Sequence, residues 1–366
     1  MTTKECCVLI PSLSPDQRLP AYVKELLAAE FGLILVVDDG SKAEYQPIFN
    51  EIAGWERCHV LHHEVNRGKG AALRTGYAYL KEHTDFRGVI TADSDGQHIV
   101  PDTVMLAGEL SEKQELLLGS RDFSKGSIQV PPKSRVGNRI TSVVFKVFYG
   151  HYLPDTQTGL RAFNRELMDF MLGIPGDRFE YEMNVLIHCA NQKVAMRPLP
   201  INTIYHDENA GTHFHPIRDS WRIYKLLLGS FFRYSAASIL SFLLDTGIVA
   251  LLMYLVFKEQ PDIHFLGIPF EPKALLAAPI ARLVSAPVNF ALNKSFVFQV
   301  KESKGAAGRY IILAVCSLIA TTLLFGYLDH FVQAAWLHIP LYVLIQMAMY
   351  FVNYRIQQGW VFPQKH

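Results

Sequence analysis

Two acids stand two residues apart in Asp93-Ser94-Asp95-Gly96-Gln97, directly after the apolar run Gly88-Val89-Ile90. Carboxylates at i and i+2 on a turn can aim at one hard cation, and Gln97 adds a carbonyl oxygen. Magnesium usually takes one or two protein carboxylates, with water and substrate phosphate completing its shell. Alone, the pattern is a common turn. Two further segments raise its weight. Val36-Val37-Asp38-Asp39-Gly40-Ser41 puts a second acidic pair after another apolar run, where a carboxylate can accept from a base edge or a ribose hydroxyl. Asn66-Arg67-Gly68-Lys69-Gly70 follows a third run and opens a helical stretch. Its glycines allow a ligand to approach the backbone, and Arg67 and Lys69 supply charge for phosphate. The Walker A pattern is absent.

These segments need a scaffold that gathers them. The runs CCVLI, LILVVD, CHVLHH, RGVITAD and LLLGSR suit parallel strands buried on both faces. Helical stretches separate them, at Leu19 to Phe31, Gly70 to His83 and Pro101 to Glu112. Strand alternating with helix predicts an open, mostly parallel α/β sheet. Ligands bind such sheets at the carboxyl ends of the strands. Asp38-Asp39 and Asp93-Asp95 both fall at such ends, so they are expected to share one site.

The chain has 366 residues and a net charge of +1, which argues against a nucleic-acid partner. Half of its residues are hydrophobic. The excess lies in the tail, where four apolar segments follow one another: Phe231 to Phe257, Lys273 to Phe290, Tyr310 to Tyr327 and Ile339 to Tyr354. Each approaches the ~20 residues that cross a bilayer as a helix. The tail also repeats itself, because VNFALNKSFVF from Val288 resembles VNYRIQQGWVF from Val352, and Arg233-Tyr234 resembles Arg309-Tyr310. Two related hairpins of two spans each are expected, in the manner of parallel repeats. Lys294, Lys301, Lys304 and Arg309 place their loop in the cytoplasm by the positive-inside rule. The N-terminal domain and the C-terminus then lie there too. The N-terminus reads as a first strand and not as a signal peptide. The five cysteines are odd in number, lack CxxC spacing and read as reduced core thiols. The expected division is residues 1–225 for a cytoplasmic α/β domain and 226–366 for an all-α membrane domain of four helices.

In their order, VLIPSL, VVDDGS, NRGKGAALRTGY, ADSDGQH, GSRDF and DTQTGLRAF resemble the family 2 inverting glycosyltransferases of GT-A fold. The pattern is closest to dolichol- or polyprenyl-phosphate mannose and glucose synthases, and it spans about residues 5 to 225. Thr203-Ile204-Tyr205-His206 and His213 to Ser220 look like the end of that domain. The tail is similar to the GtrA-like membrane family. There are departures. Pro11-Ser12-Leu13-Ser14-Pro15 lacks the glutamate and asparagine usual in the first loop. The processive QxxRW motif is also missing, which argues against a polymer-making enzyme.

The resemblance implies a transfer of one hexose, with inversion, from a nucleotide sugar to undecaprenyl or dolichyl phosphate. UDP is the favoured nucleotide. The product is a lipid-linked monosaccharide for cell-envelope glycosylation, made at the plasma membrane. Pro11, Asp38, Asp39, Arg67, Lys69 and Asp93 would bind the nucleotide sugar. Asp93, Asp95 and Gln97 would hold Mg²⁺ or Mn²⁺. Arg121 and Arg135 would meet phosphate, and Asp155 lies where the family places a candidate acid or base. The catalytic set is therefore Asp95, Asp155, Arg121 and Arg135. A phosphate monoester is largely ionised near neutral pH and needs no strong base, so positioning is the favoured role of Asp155. Within Ser134 to Gly150, the residues Ile140, Val143, Val144, Val147 and Phe148 can share one side of an interfacial helix, and Trp221 to Leu228 offers a second such segment. Asp245 and Arg282 are charges inside predicted spans, expected to pair with each other or to meet a lipid phosphate. Two rivals are weighed. A nucleotidyltransferase would carry a glycine-rich loop after the first strand, and Pro11 to Pro20 has no glycine. A lipid-linked-sugar translocase with a non-catalytic domain is the second. The tail either anchors and oligomerises the enzyme or helps move its product, and the residues leave both open.

Overall fold

A computed structural model of the chain describes residues 1–122, 132–202, 216–256, 263–265, 268–270, 272–300, 304–329, 331, 334 and 337–363. The chain divides into two units, Met1–Leu227 and Leu228–His366. The segments 203–206 and 213–215, read above as the end of the first domain, lie outside the described residues, as does Lys301.

The first unit is built on strands β1 (Cys6–Ser12), β2 (Leu33–Asp38), β3 (Cys58–His62), β4 (Gly88–Thr91), β5 (Glu115–Arg121), β6 (Arg161–Asn164) and β7 (Ala195–Ile201). They form one sheet in the order β3-β2-β1-β4-β6-β5-β7. The first five are the runs read from the sequence. All pairings are parallel except those of β6, which runs antiparallel between β4 and β5. The helices are α1 (Arg18–Ala28), α2 (Gln46–Ala53), α3 (Lys69–His83), α4 (Val100–Glu109), α5 (Pro132–Tyr149), α6 (Met168–Gly173) and α7 (Glu180–Gln192). Every residue of β1 is buried, as a central strand requires. Val8 and Ile10 of β1 and Ile34 and Val36 of β2 pack with Leu19, Val23 and Leu26 of α1 in one core. A fully buried side chain of this kind contributes about 1.5–3 kcal/mol. All five cysteines are free thiols. Burial pushes the Cys6 thiol up to about 11, so it stays protonated and inert.

One detail of the sheet creates the site. β1 pairs with β4 only as far as Leu9–Thr91, whereas its pairing with β2 continues to Ser12–Asp38. Beyond Leu9 the sheet opens, and Pro11 lies in β1 past the last β4 pair, where a missing amide interrupts no β1–β4 pairing.

The second unit contains most of α8 (Pro216–Leu251), then α9 (Pro272–Leu292), α10 (Ala306–Asp329) and α11 (His338–Ile356). A two-stranded hairpin, Ile263–Phe265 with Ile268–Phe270, stands between α8 and α9. The first apolar segment lies in α8 as far as Leu251 and continues in a π-helical turn, Leu252–Val256, with Phe257 outside the described residues, and the other three fall in α9, α10 and α11. Two stretches, Ile223–Val256 and Ala306–Leu328, are long and apolar enough to cross a membrane. The unit's exterior is apolar: Leu283, Leu318, Leu323, Ile339 and Met347 are all exposed. Such a continuous surface suits lipid and not water. Asp245 and Arg282 do pair, at 3.4 Å, and Ser285 Oγ donates to Asp245 at 2.6 Å.

Residues at matching places in the two copies of the repeated segment touch. Each copy ends in a π-helical turn, Asn293–Val297 and Gln357–Val361. Asn293 Nδ2 donates to Gln357 Oε1 at 3.0 Å. Phe298 stacks on Phe362 with ring centres 5.3 Å apart. The neighbouring contacts are exchanged, with Phe290 against Phe362 and Tyr354 against Phe298.

Candidate active site

The carboxyl ends of β1, β2, β4 and β5 carry the residues singled out above. Asp93 follows β4 after Ala92, whose amide donates to Leu9 O and extends the strand path. Its carboxylate has one basic side chain near each oxygen. Lys69 Nζ stands 2.6 Å from Oδ1, and the same ammonium lies 3.0 Å from Glu182 Oε1. His98 Nε2 stands 3.5 Å from Oδ2. A Cβ at Gly159 would come within 2.3 Å of that oxygen, so only glycine leaves room for it. Burial pushes Asp93 up, but Lys69 and His98 outweigh it and keep the group ionised. The same acids hold Lys69 charged although burial opposes this. Glu182 and His98 were not among the residues chosen from sequence. Glu182 sits about ninety residues from the acidic motif and belongs to no pattern that spacing reveals. His98 was in view, adjacent to Gln97, and its burial at 7% exposure is what singles it out.

Asp95 behaves in the opposite way. Burial and the neighbouring Asp93 charge raise its carboxyl. The Gln97 amide donates to Oδ1 at 3.0 Å, and among the described residues Oδ2 has no donor. An acid under such repulsion favours a cation beside it. The described residues contain no group of three His, Cys, Asp or Glu side chains able to cage a metal. The site therefore does not fit a metal held by protein alone. It fits a divalent ion that brings water and phosphate oxygens and meets one or two carboxylates. Of the expected ligands, Asp95 suits that role best, because one oxygen of Asp93 is already bound to Lys69.

The structure corrects the reading of the glycine loop. Gly68 has φ +104°, and a Cβ there would lie 2.4 Å from Asp177 O. A Cβ at Gly70 would lie 2.5 Å from Tyr181 Cβ. These glycines admit the protein's own 176–181 segment. Lys69 is likewise turned to Asp93 and Glu182, and the Arg67 side chain is exposed.

Asp38 and Asp39 are both buried and turned to protein donors. Asp38 accepts from Ser41 N at 2.8 Å, Gln46 Nε2 at 2.9 Å and His62 Nδ1 at 3.0 Å. Burial alone would raise this carboxyl, yet these donors hold it below the usual range. Asp39 accepts from His63 Nδ1 at 2.8 Å, Arg67 N at 2.9 Å and Gly68 N at 2.7 Å. It thereby fixes the start of α3. In this structure both acids position loops, and Pro11 is buried beside them.

At the end of β5, Arg121 meets Asp155 in a two-pronged pair. Nε lies 2.6 Å from Oδ2 and Nη2 lies 3.0 Å from Oδ1. Asp155 is 1% exposed and also accepts from Gln157 N at 3.0 Å. Helix α5 docks on the same turn: Asn138 Nδ2 donates to Pro154 O at 2.6 Å, and Thr156 N donates to Asn138 Oδ1 at 3.1 Å. Arg135 stands one helical turn before Asn138 and is half-buried. The opposite side of α5 exposes Val136, Ile140, Val143 and Val147, with Arg139 and Lys146 among them. Val144 and Phe148, assigned to that face from sequence, are half-buried instead.

Comparison with known proteins follows the same division. Residues 7–171 match the family model for glycosyl transferase family 2. Residues 233–362 match that for the GtrA/DPMS transmembrane domain. An uncharacterized protein of Methanocaldococcus jannaschii is 29% identical over 231 residues, covering 62% of this chain and 93% of the relative. A UDP-N-acetylglucosamine–dolichyl-phosphate N-acetylglucosaminyltransferase of Methanococcus voltae is 27% identical over 224 residues, covering 56% and 88%. A polyprenol monophosphomannose synthase of Mycolicibacterium smegmatis is 29% identical over 179 residues, covering 46% and 64%.

Proposed function

We propose that this chain, which joins a glycosyl transferase family 2 domain to a GtrA/DPMS transmembrane domain, moves one hexose from a nucleotide sugar to a polyprenyl phosphate. The observation that supports the reading is that Asp93 and Asp95 follow the carboxyl end of β4 and the Arg121–Asp155 pair stands at the carboxyl end of β5, in one sheet of a chain with a GtrA/DPMS transmembrane domain. UDP is our favoured nucleotide, and the reaction inverts the anomeric centre.

The residues divide the work by charge. A divalent ion, Mg²⁺ or Mn²⁺, would supply positive charge to the leaving diphosphate, with Asp95 and the free side of Asp93 to hold it. Lys69 keeps Asp93 ionised and in place. Asp39 fixes the amides of Arg67 and Gly68, which carry the loop toward the donor. Asp155 fixes the plane of Arg121, and a guanidinium fork suits phosphate. Arg135 joins it from α5. The acceptor phosphate attacks as an anion, so positioning and charge stabilisation carry the barrier reduction. The exposed stripe of α5 rests on the bilayer surface, where such an acceptor arrives.

Residues 1–225 form the cytoplasmic domain in this reading. The tail crosses the membrane four times, with Lys294, Lys304 and Arg309 on the cytoplasmic side. Membranes carrying the protein, supplied with labelled UDP- and GDP-sugars and undecaprenyl phosphate, should yield a labelled lipid with one sugar. Absence of any such lipid across the panel would refute the reading.

A further inference from the structure

Behind the acidic turn, one ammonium is shared by two acids. Lys69 Nζ lies 2.6 Å from Asp93 and 3.0 Å from Glu182. The side chains of Lys69 and Glu182 are 17% and 13% exposed, so water screens this pairing little. Glu182 is held where it stands. Arg161 Nη1 donates to its backbone oxygen at 2.8 Å, and Arg161 Nε donates to Thr158 O at 3.0 Å. Its neighbour Tyr181 donates from its hydroxyl to Met171 O at 2.7 Å. The first turn of α7 is thus tied to the segment 158–161 that also lines Asp93. Among the described residues Glu182 has no hydrogen bond to the acidic turn and meets it by way of Lys69. It acts through Lys69.

The electrostatic consequence is direct. The three groups Asp93, Lys69 and Glu182 carry one net negative charge. If residue 182 were neutral, Lys69 would fall to Asp93 alone and cancel it. The acidic turn would then offer a cation only Asp95.

We propose that Glu182 is a positioning residue that sets the cation affinity of the donor site, by drawing part of the Lys69 charge away from Asp93. The inference rests on the reading of the Asp93–Asp95 turn as a cation–diphosphate site.

The test is Mn²⁺ binding to the full-length protein in detergent, in the presence of UDP or GDP, followed by the loss of the free-ion electron paramagnetic resonance signal. Glu182→Gln should weaken binding by about three- to tenfold, the size of one charge acting through a partly solvated site. Glu182→Asp keeps the charge and should stay within about twofold of wild type. The double variant Lys69→Met/Glu182→Gln restores one net negative charge and should return to within about twofold of wild type. Equal affinity in wild type and Glu182→Gln would overturn the inference, as would a loss that the double variant does not recover. If Glu182→Gln alone fails to fold, as a thermal melt would reveal, the Glu182→Asp and double-variant affinities decide in the same way. A wild-type protein that binds no Mn²⁺ with either nucleotide would overturn the cation site itself. Variant-independent binding would overturn only the role of Glu182.

Discussion

Asp155 grips Arg121 through both carboxylate oxygens, at 2.6 and 3.0 Å, in a buried pair. A general base must turn an oxygen toward the proton it takes. Here that would break the two-pronged pair that holds Arg121. In the proposed reaction the pair instead holds Arg121 in one orientation for phosphate. Asp155→Asn should therefore cut turnover on the order of hundredfold through misplacement of Arg121. The factor should be the same from pH 6 to pH 8 in the labelled-lipid assay. A loss concentrated at the acid end would assign Asp155 a proton instead.

Asp93 and Asp95 should respond to substitution with opposite signs. Burial and Asp93 raise the Asp95 carboxyl in the folded protein. A raised acid binds its proton more tightly when folded, so its contribution to stability falls as pH rises toward neutrality. Asp95→Asn should raise the melting temperature at pH 7 by a few degrees. It should also abolish cation-dependent transfer. Asp93 is pushed up by burial but held down by Lys69 and His98, so its contribution is present at neutral pH and lost on acidification. Asp93→Asn should lower the melting temperature at pH 7, because it leaves Lys69 with Glu182 alone. Thermal melts of Asp95→Asn at about pH 5 and pH 7, and of Asp93→Asn at pH 7 and at about pH 3, below the usual carboxylate range, check both signs.

Much of this architecture was legible in the chain. Five strands, the acidic strand ends and the two-part organisation follow from apolar runs bounded by turns, because buried strands leave that trace. β6 was not legible. Arg161 to Asn164 reads RAFN, too short and too polar to stand out, and its antiparallel place between β4 and β5 is fixed by tertiary pairing. The NRGKG loop misled for a physical reason. Glycine signals a close approach, but sequence does not say by what, and the visitor is the protein's own 176–181 segment. Glu182 was hidden because its meaning comes from Lys69 in space. Asn138 was hidden likewise, since only the turn at Pro154 gives its amide work.

Gly68 provides a test of that packing. Its φ of +104° and the 2.4 Å approach of Asp177 O to an added Cβ leave alanine no place. Gly68→Ala should cost about 1–3 kcal/mol from backbone strain, with more from the clash. Alanine keeps the amide, but the shift forced on the loop would disturb its 2.7 Å bond to Asp39, so nucleotide-sugar binding should weaken along with stability. The expected result is a lower thermal midpoint together with a higher KM for the nucleotide sugar. A stable variant with unchanged KM would mean that the loop geometry is not needed.

The exposed stripe of α5 separates acceptor delivery from chemistry. Val136, Ile140, Val143 and Val147 line one side of the helix, while Asn138, Thr141, Phe145 and Tyr149 are buried on the other. An acid placed in the stripe does not touch the core, so the fold should tolerate it. It would oppose contact with an anionic bilayer surface, where Arg139 and Lys146 favour it. Val143→Asp should therefore lower transfer to undecaprenyl phosphate in vesicles by about tenfold, as one lost interfacial contact and one added repulsion would. Transfer to a short-chain polyprenyl phosphate in detergent should change less than twofold, because that acceptor needs no surface to deliver it. Equal losses with both acceptors would place the stripe in the service of Arg135 and Asn138, and not of the membrane.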